Sequence, residues 1–187
     1  MVAFWQSFLL ILVAEMGDKT QLVALAFSTR FGPLIVLGGV TVATLLVHLL
    51  SVAIGEVLGL AIPSFWIAIV AGIAFICFGV WTLRGDTLDD EETSRLQRFG
   101  PFLTVGITFL LAELGDKSML ATVTLAAQHQ DAVPVWLGST LGMVAADAVA
   151  IVVGTLMGKR LPAGAIKYGA AAIFIVTGVA SIGGAFL

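Results

Sequence analysis

Six apolar stretches, at about residues 4–28, 34–60, 64–83, 101–128, 134–158 and 165–186, constrain this chain more than any other feature. Each is about 20 residues or longer, enough for a helix rising about 1.5 Å per residue to cross a hydrocarbon layer of about 30 Å. Phe31-Gly32-Pro33, Ile62-Pro63-Ser64, Gly100-Pro101, Val133-Pro134 and Leu161-Pro162 separate the stretches. Proline ends a helix or sits in its first turn, so the placement of all five at boundaries supports the division. The chain is 59% hydrophobic and 11% charged, whereas a soluble domain carries about 25% charged residues. It lacks the polar surface that water requires, and the expected fold is all-α and integral to a membrane, with six transmembrane helices.

The net charge of −3 carries little information, because the charges are unevenly placed. No basic stripe suggests a nucleic acid partner. The single cysteine, Cys77, excludes an internal disulfide and a zinc-type spacing, and reads as a small apolar packing residue. Met1 to Leu12 contain no Lys or Arg and run directly into Glu15, Asp18 and Lys19, so the first stretch reads as a retained helix rather than a leader. The long polar segment, 84–100, holds Asp86, Asp89, Asp90, Glu91, Glu92, Arg95 and Arg98 and reads as a solvated linker. It divides the chain into a first three-helix repeat, 1–83, and a second, 101–187.

Arg30, Arg84, Arg95, Arg98, Lys159, Arg160 and Lys167 would all face one side of the membrane, and no Lys or Arg the other. Basic loops stay in the cytoplasm, which predicts a cytoplasmic 84–100 linker and both termini outside. Trp5, Trp66, Trp81 and Trp136 lie near expected helix ends, where indole anchors at the headgroup level.

An internal repeat organises the charges that remain. Leu12-Val-Ala-Glu-Met-Gly-Asp-Lys-Thr20 returns as Leu110-Leu-Ala-Glu-Leu-Gly-Asp-Lys-Ser118 at an offset of 98. At an offset of 99, Gly39 then matches Gly138, His48 matches Asp147, Gly55 Gly154, Gly59 Gly158, Pro63 Pro162 and Phe75 Phe174. Three helices per half would place the second half upside down relative to the first, an arrangement that in transporters sets the binding site at the midplane.

Glu15 and Glu113 fall about 17 Å along their stretches, near the bilayer centre. On a regular helix Asp18 and Lys19, and Asp116 and Lys117, would share a face with them. His48 and Asp147 lie near the middle of the second and fifth stretches. Seven charged groups at such depth would cost roughly 20 kcal/mol if unpaired. Four carboxylates against two ammonium groups leave a surplus of two negative charges, which one divalent cation or two protons would neutralise. Oxygen ligands suit Mg, Ca and Mn, and the motifs offer no Cys or His for zinc or copper. Thr20, Gln21 and Ser118 are candidate supporting oxygens, and His48 and Asp147 candidate supporting ligands or proton relays. Met16 and Met119 read as packing residues before thioether ligands. Gly17 and Gly115 leave two readings open, close helix packing or local unwinding. On a regular helix Thr20 points about 140° away from Glu15, so its participation requires the unwinding or a neighbouring-helix contact.

With these residues in view, the chain resembles the Gdt-type family of calcium/manganese:proton exchangers, which includes a Golgi cation transporter of eukaryotes. The family's hallmark is Glu-x-Gly-Asp-Lys-Thr/Ser, twice; here it reads Glu15-Met-Gly-Asp-Lys-Thr20 and Glu113-Leu-Gly-Asp-Lys-Ser118. The resemblance covers all six stretches. It implies exchange of a divalent cation for protons, with Glu15, Asp18, Glu113 and Asp116 as the metal site. It also implies a compact, bacterial-type, multi-pass protein of the plasma membrane. Met119 stands where the first motif has Gln21, so the two halves need not contribute equally. No enzyme activity and no resident cofactor are expected. The partners are the transported ion (Mn2+ or Ca2+), protons and lipid, and a homodimer is left open. An exporter of a small organic cation or amino acid, a non-transporting scaffold or assembly factor, and, less favoured, a channel remain as rival readings of the residues alone.

Overall fold

The computed structural model describes residues 1–16, 18–84, 100–157 and 163–186. Gly17 and the side chain of Lys19 lie outside the described residues, as do the acidic run of the linker and Lys159-Arg160. The described residues form eight helices: α1 (Val2–Glu15), α2 (Lys19–Phe31), α3 (Pro33–Ala61), α4 (Ser64–Arg84), α5 (Pro101–Glu113), α6 (Lys117–His129), α7 (Ala132–Met157) and α8 (Ala163–Gly184). The fold is all-helical among these residues, as expected. In lipid a helix is the simplest way for an apolar run to satisfy its own backbone.

The side-chain distribution is that of a membrane protein. On α3, Thr44, His48 and Ser51 are buried while Leu46, Leu49 and Leu50 are exposed. Pro33–Ala61, Ser64–Trp81 and Ala132–Val152 are long and apolar enough to cross a membrane; Val2–Glu15, Pro101–Glu113 and Ala171–Gly184 are shorter apolar helices. Pro33 and Pro101 stand at the first turns of α3 and α5, each after a glycine at positive φ, where the missing proline N–H breaks no helix bond.

The first and fourth apolar stretches are each two helices rather than one. α1 stops at Glu15 and α2 starts at Lys19; α5 stops at Glu113 and α6 starts at Lys117. Both breaks fall on the repeated motif, about midway along their stretches.

α3 and α7 pack on each other and against the broken helices, α3 on α5 and α6 and α7 on α1 and α2. The approaches are close because glycine faces backbone. A Cβ on Gly138 would collide with the Phe4 carbonyl and meet Ser7; one on Gly39 would meet the Phe102 carbonyl and Val105. These are the same contact made by residues 98 and 99 positions apart. α4 and α8 form a second tight pair, with Gly72 against Gly178 and its neighbour Ile182. Phe75 and Phe174, matched in the repeat, stack at 6.2 Å between ring centroids, and join Ile11, Leu125 and Met143 in one core cluster. A second cluster gathers Phe27, Val36, Val40, Phe109 and Ile151.

Two side chains differ from expectation. Cys77 lies exposed on α4 rather than packed inside. Trp136 is partly buried and donates its indole N–H to the Leu45 carbonyl at 3.0 Å, so it joins helices besides lying near a helix end.

Candidate metal centre

Each motif uses its break in the same way. At Met16 and Leu114 the backbone turns from helical to extended, with ψ of 118° and 113°. Asp18 and Asp116, also extended, begin the next helices. The turns are closed by the amides of Asp18 and Asp116 donating to the Glu15 and Glu113 carbonyls, at 3.0 and 3.2 Å. Gly115 has φ +81°, a conformation costly for residues with a Cβ, and nothing lies within 4 Å of where a Cβ would be. Its role is therefore unwinding and not close packing. Met119 accepts the freed Gly115 N–H on its sulfur at 3.1 Å, a stabilising contact that packing logic alone did not foresee.

The unwinding corrects the expected stripe. Glu15 and Asp18 do not share the face of one continuous helix, nor do Glu113 and Asp116, because one helix ends at each glutamate and another begins after each aspartate. The same break solves the geometric problem at the motif ends. Thr20 donates its hydroxyl to a Glu15 carboxylate oxygen at 3.3 Å, and Ser118 does so to Glu113 at 2.8 Å.

The two breaks meet. Carboxylate oxygens of Glu15, Glu113 and Asp116 lie within 4.8 Å of one another, and all three side chains are buried. The remaining oxygens of Glu15 and Glu113 have no hydrogen-bond partner. At that spacing each pair of like charges repels by about 3 kcal/mol at an effective dielectric constant of about 20. A divalent cation or protons would relieve this, and the oxygen-only donor set is that of Mg, Ca or Mn. Asp116 and Asp18 also stand at helix N-termini, where the backbone favours negative charge.

Asp18 is not among those three residues, and its Oδ2 has no hydrogen-bond partner. Lys117 crosses from the second motif to form an ion pair and hydrogen bond with it. The ammonium of one half therefore serves the carboxylate of the other, which spacing along the chain does not reveal. Gln21 donates to the Ala146 carbonyl at 3.0 Å, so it ties α2 to α7. His48 lies buried with Nδ1 3.4 Å from the Thr140 hydroxyl, and Asp147 is buried with neither oxygen partnered.

Known proteins resemble this chain along most of its length. A family model described as "Divalent cation/proton antiporter GDT1" matches residues 3–90 and 101–186. A Vibrio cholerae protein described as "Putative manganese exporter" is 34% identical over 171 residues, covering 90% of this chain and 84% of that protein. "GDT1-like protein 4" of Oryza sativa subsp. indica is 28% identical over 189 residues, covering 88% and 67%. "Protein PAM71, chloroplastic" of Arabidopsis thaliana is 33% identical over 204 residues, covering 92% and 54%. No solved structure matches the chain significantly.

Proposed function

The chain belongs to the GDT1 family of divalent cation/proton antiporters, and from that premise we propose that it exports Mn2+ from the cytoplasm in exchange for protons, through the centre built by its two motifs. The protein is a multi-pass membrane transporter and not an enzyme, and the ion is its cargo. Manganese is favoured over calcium by the name of the Vibrio relative. The observation that carries the site is the meeting of Glu15, Glu113 and Asp116 from two motifs 98 residues apart in sequence.

In this reading Glu15, Glu113 and Asp116 hold the cation. Asp18 contributes charge through its pair with Lys117, which keeps a positive group at the centre when the ion has left. Thr20 and Ser118 orient the two glutamates. Opposed halves, each with a broken first helix, supply similar routes to either face; the paired contacts of Gly39 and Gly138 support that arrangement. We place the broken helices, α3, α4, α7 and α8 as six spans of a bacterial plasma membrane, with the basic loops inside and the termini outside.

The test is Mn2+ efflux from the purified protein in liposomes under a proton gradient, with internal pH recorded. Mn2+ movement should be matched by opposite proton movement, and Glu113→Gln should abolish both. Unchanged flux in Glu113→Gln, with the variant folded, would remove the carboxylate centre from the transport path.

A further inference from the structure

Each half carries one deeply buried ionisable group that its motif does not supply: His48 on α3 and its repeat partner Asp147 on α7. Their places follow from how the two helices cross. Thr44 donates its hydroxyl to the Met143 sulfur at 3.4 Å, and these residues are themselves matched at the offset of 99. The crossing therefore lies on the relation between the halves. His48, one turn beyond Thr44, stands beside Thr140, one turn before Met143, so the helices run in opposite directions. His48 is thus displaced from the crossing toward the Ala61 end of α3, and Asp147 toward the Met157 end of α7. Four residues at about 1.5 Å each put either group about 6 Å from the crossing, on opposite sides.

His48 is satisfied at Nδ1 alone, and Asp147 at neither oxygen. His48 and Asp147 are 0% and 1% exposed, and His48 Nε2 and both Asp147 oxygens have no hydrogen-bond partner. A buried carboxyl or imidazole left so is costly, and its retention calls for an explanation. Lys117 pairs with Asp18, and Gln21 donates to the Ala146 carbonyl beside Asp147. The elements packed on α3 and α7 carry Glu15 at the end of α1, Asp18 at the head of α2, Glu113 at the end of α5, and Asp116 with Lys117 at the head of α6. Arg30, Glu56 and His129 stand toward the far ends of α2, α3 and α6.

We propose that His48 and Asp147 are the two proton ports of the carboxylate centre, His48 toward the side of the termini and Asp147 toward the side of the basic loops. The inference rests on the exchanger reading above and adds the route of the counter-ion. When the cation binds, a proton leaving the centre's carboxyls passes to the Asp147 carboxylate, forming a neutral carboxyl, and then to water on that side. When the cation departs to the other side, the His48 imidazole takes a proton from water there and hands it to the carboxylate just uncovered. One proton is carried at each transfer and no other reactant is needed. The halves are alike in their metal-binding motifs but unlike at these matched positions, so the proton path is asymmetric.

The test separates ion handling from proton coupling in the full-length protein in liposomes. One readout is exchange of radioactive Mn2+ for Mn2+ at equal pH on both sides, which needs no net proton movement. The other is net Mn2+ flux driven by a pH gradient, with a pH dye inside. Asp147→Asn and His48→Gln should keep the exchange and lose pH-driven flux by about 10²-fold or more, the scale of a positioned proton-transfer group. Asp147→Glu should restore much of it. If Asp147→Asn does not fold, Asp147→Ser is read in the same way. Full pH-driven flux in the Asn variant, or equal loss of both readouts in a folded variant, would overturn the proposal. A wild-type protein that moves no divalent cation under a pH gradient would instead overturn the exchanger reading, and this inference with it.

Discussion

At the scale of single residues, the centre consists of carboxylates held by hydroxyls. Ser118 and Thr20 touch Glu113 and Glu15, but their geometry differs: 2.8 Å against 3.3 Å. Removing a hydrogen bond that orients a metal ligand weakens binding about 10–100-fold. Ser118→Ala should therefore lower Mn2+ affinity within that range, and Thr20→Ala should lower it less, both measured by calorimetry on the detergent-solubilised protein. Because the carboxylates must be deprotonated to take the ion, Mn2+ affinity should rise with pH and fall in acid, with protons released on binding. Equal affinity across the titration would argue against carboxylate ligation. The repeated motif made the glutamates, aspartates and hydroxyls legible in the sequence. It did not reveal that Lys117 serves Asp18 of the other half, because a chain-local rule sees only neighbours at three and four residues.

At the scale of elements, two kinds of glycine act differently. Gly115 unwinds a helix at φ +81° in open space. Gly115→Ala should cost about 1–2 kcal/mol through backbone strain and, by shifting Glu113 against Asp116, should weaken Mn2+ binding as well. Gly72 instead lets α4 touch α8 at Gly178. Gly72→Val should force the pair apart and lower thermal stability in detergent, read by a melting curve, with no direct effect on the carboxylates in the protein that remains folded. A melting temperature unchanged by Gly72→Val would show that α4 and α8 do not depend on this approach. The apolar periods and prolines located α3, α4, α7 and α8 well. They merged α1 with α2 and α5 with α6, because hydropathy averages over a short break and apolar residues continue beyond it, as in Leu22 to Phe27 and Met119 to Ala127.

At the scale of the whole molecule, the α4–α8 pair meets the motif-bearing helices through α1 and α6. Polar contacts tie it there. Gln128 on α6 donates to Ser181 on α8, and Ser181 donates to the Ala68 carbonyl of α4 at 3.0 Å. Gln6 of α1 and His129 of α6 form a neighbouring bond at 3.0 Å, and these groups line a cavity of about 470 Å³. Under alternating access this end must open and close in each cycle. Cysteines replacing Gln128 and Ser181, in a Cys77→Ser background, should stop transport when oxidised and release it on reduction. Full transport with the crosslink in place would mean that this end stays shut throughout the cycle.

The sequence by itself determined the solvent, the helical class and the residues able to hold a cation. Those follow from properties local to the chain: too few charges for a water-facing surface, apolar runs of spanning length, and one acidic motif written twice. Only the tertiary structure decided that the motifs break their helices and that Glu15, Glu113 and Asp116 converge. It also decided that Lys117 of the second motif pairs with Asp18 of the first. Convergence depends on how glycine faces let α1 close on α7 and α5 on α3, which places groups nearly a hundred residues apart within reach of one ion. No spacing along the chain encodes that distance.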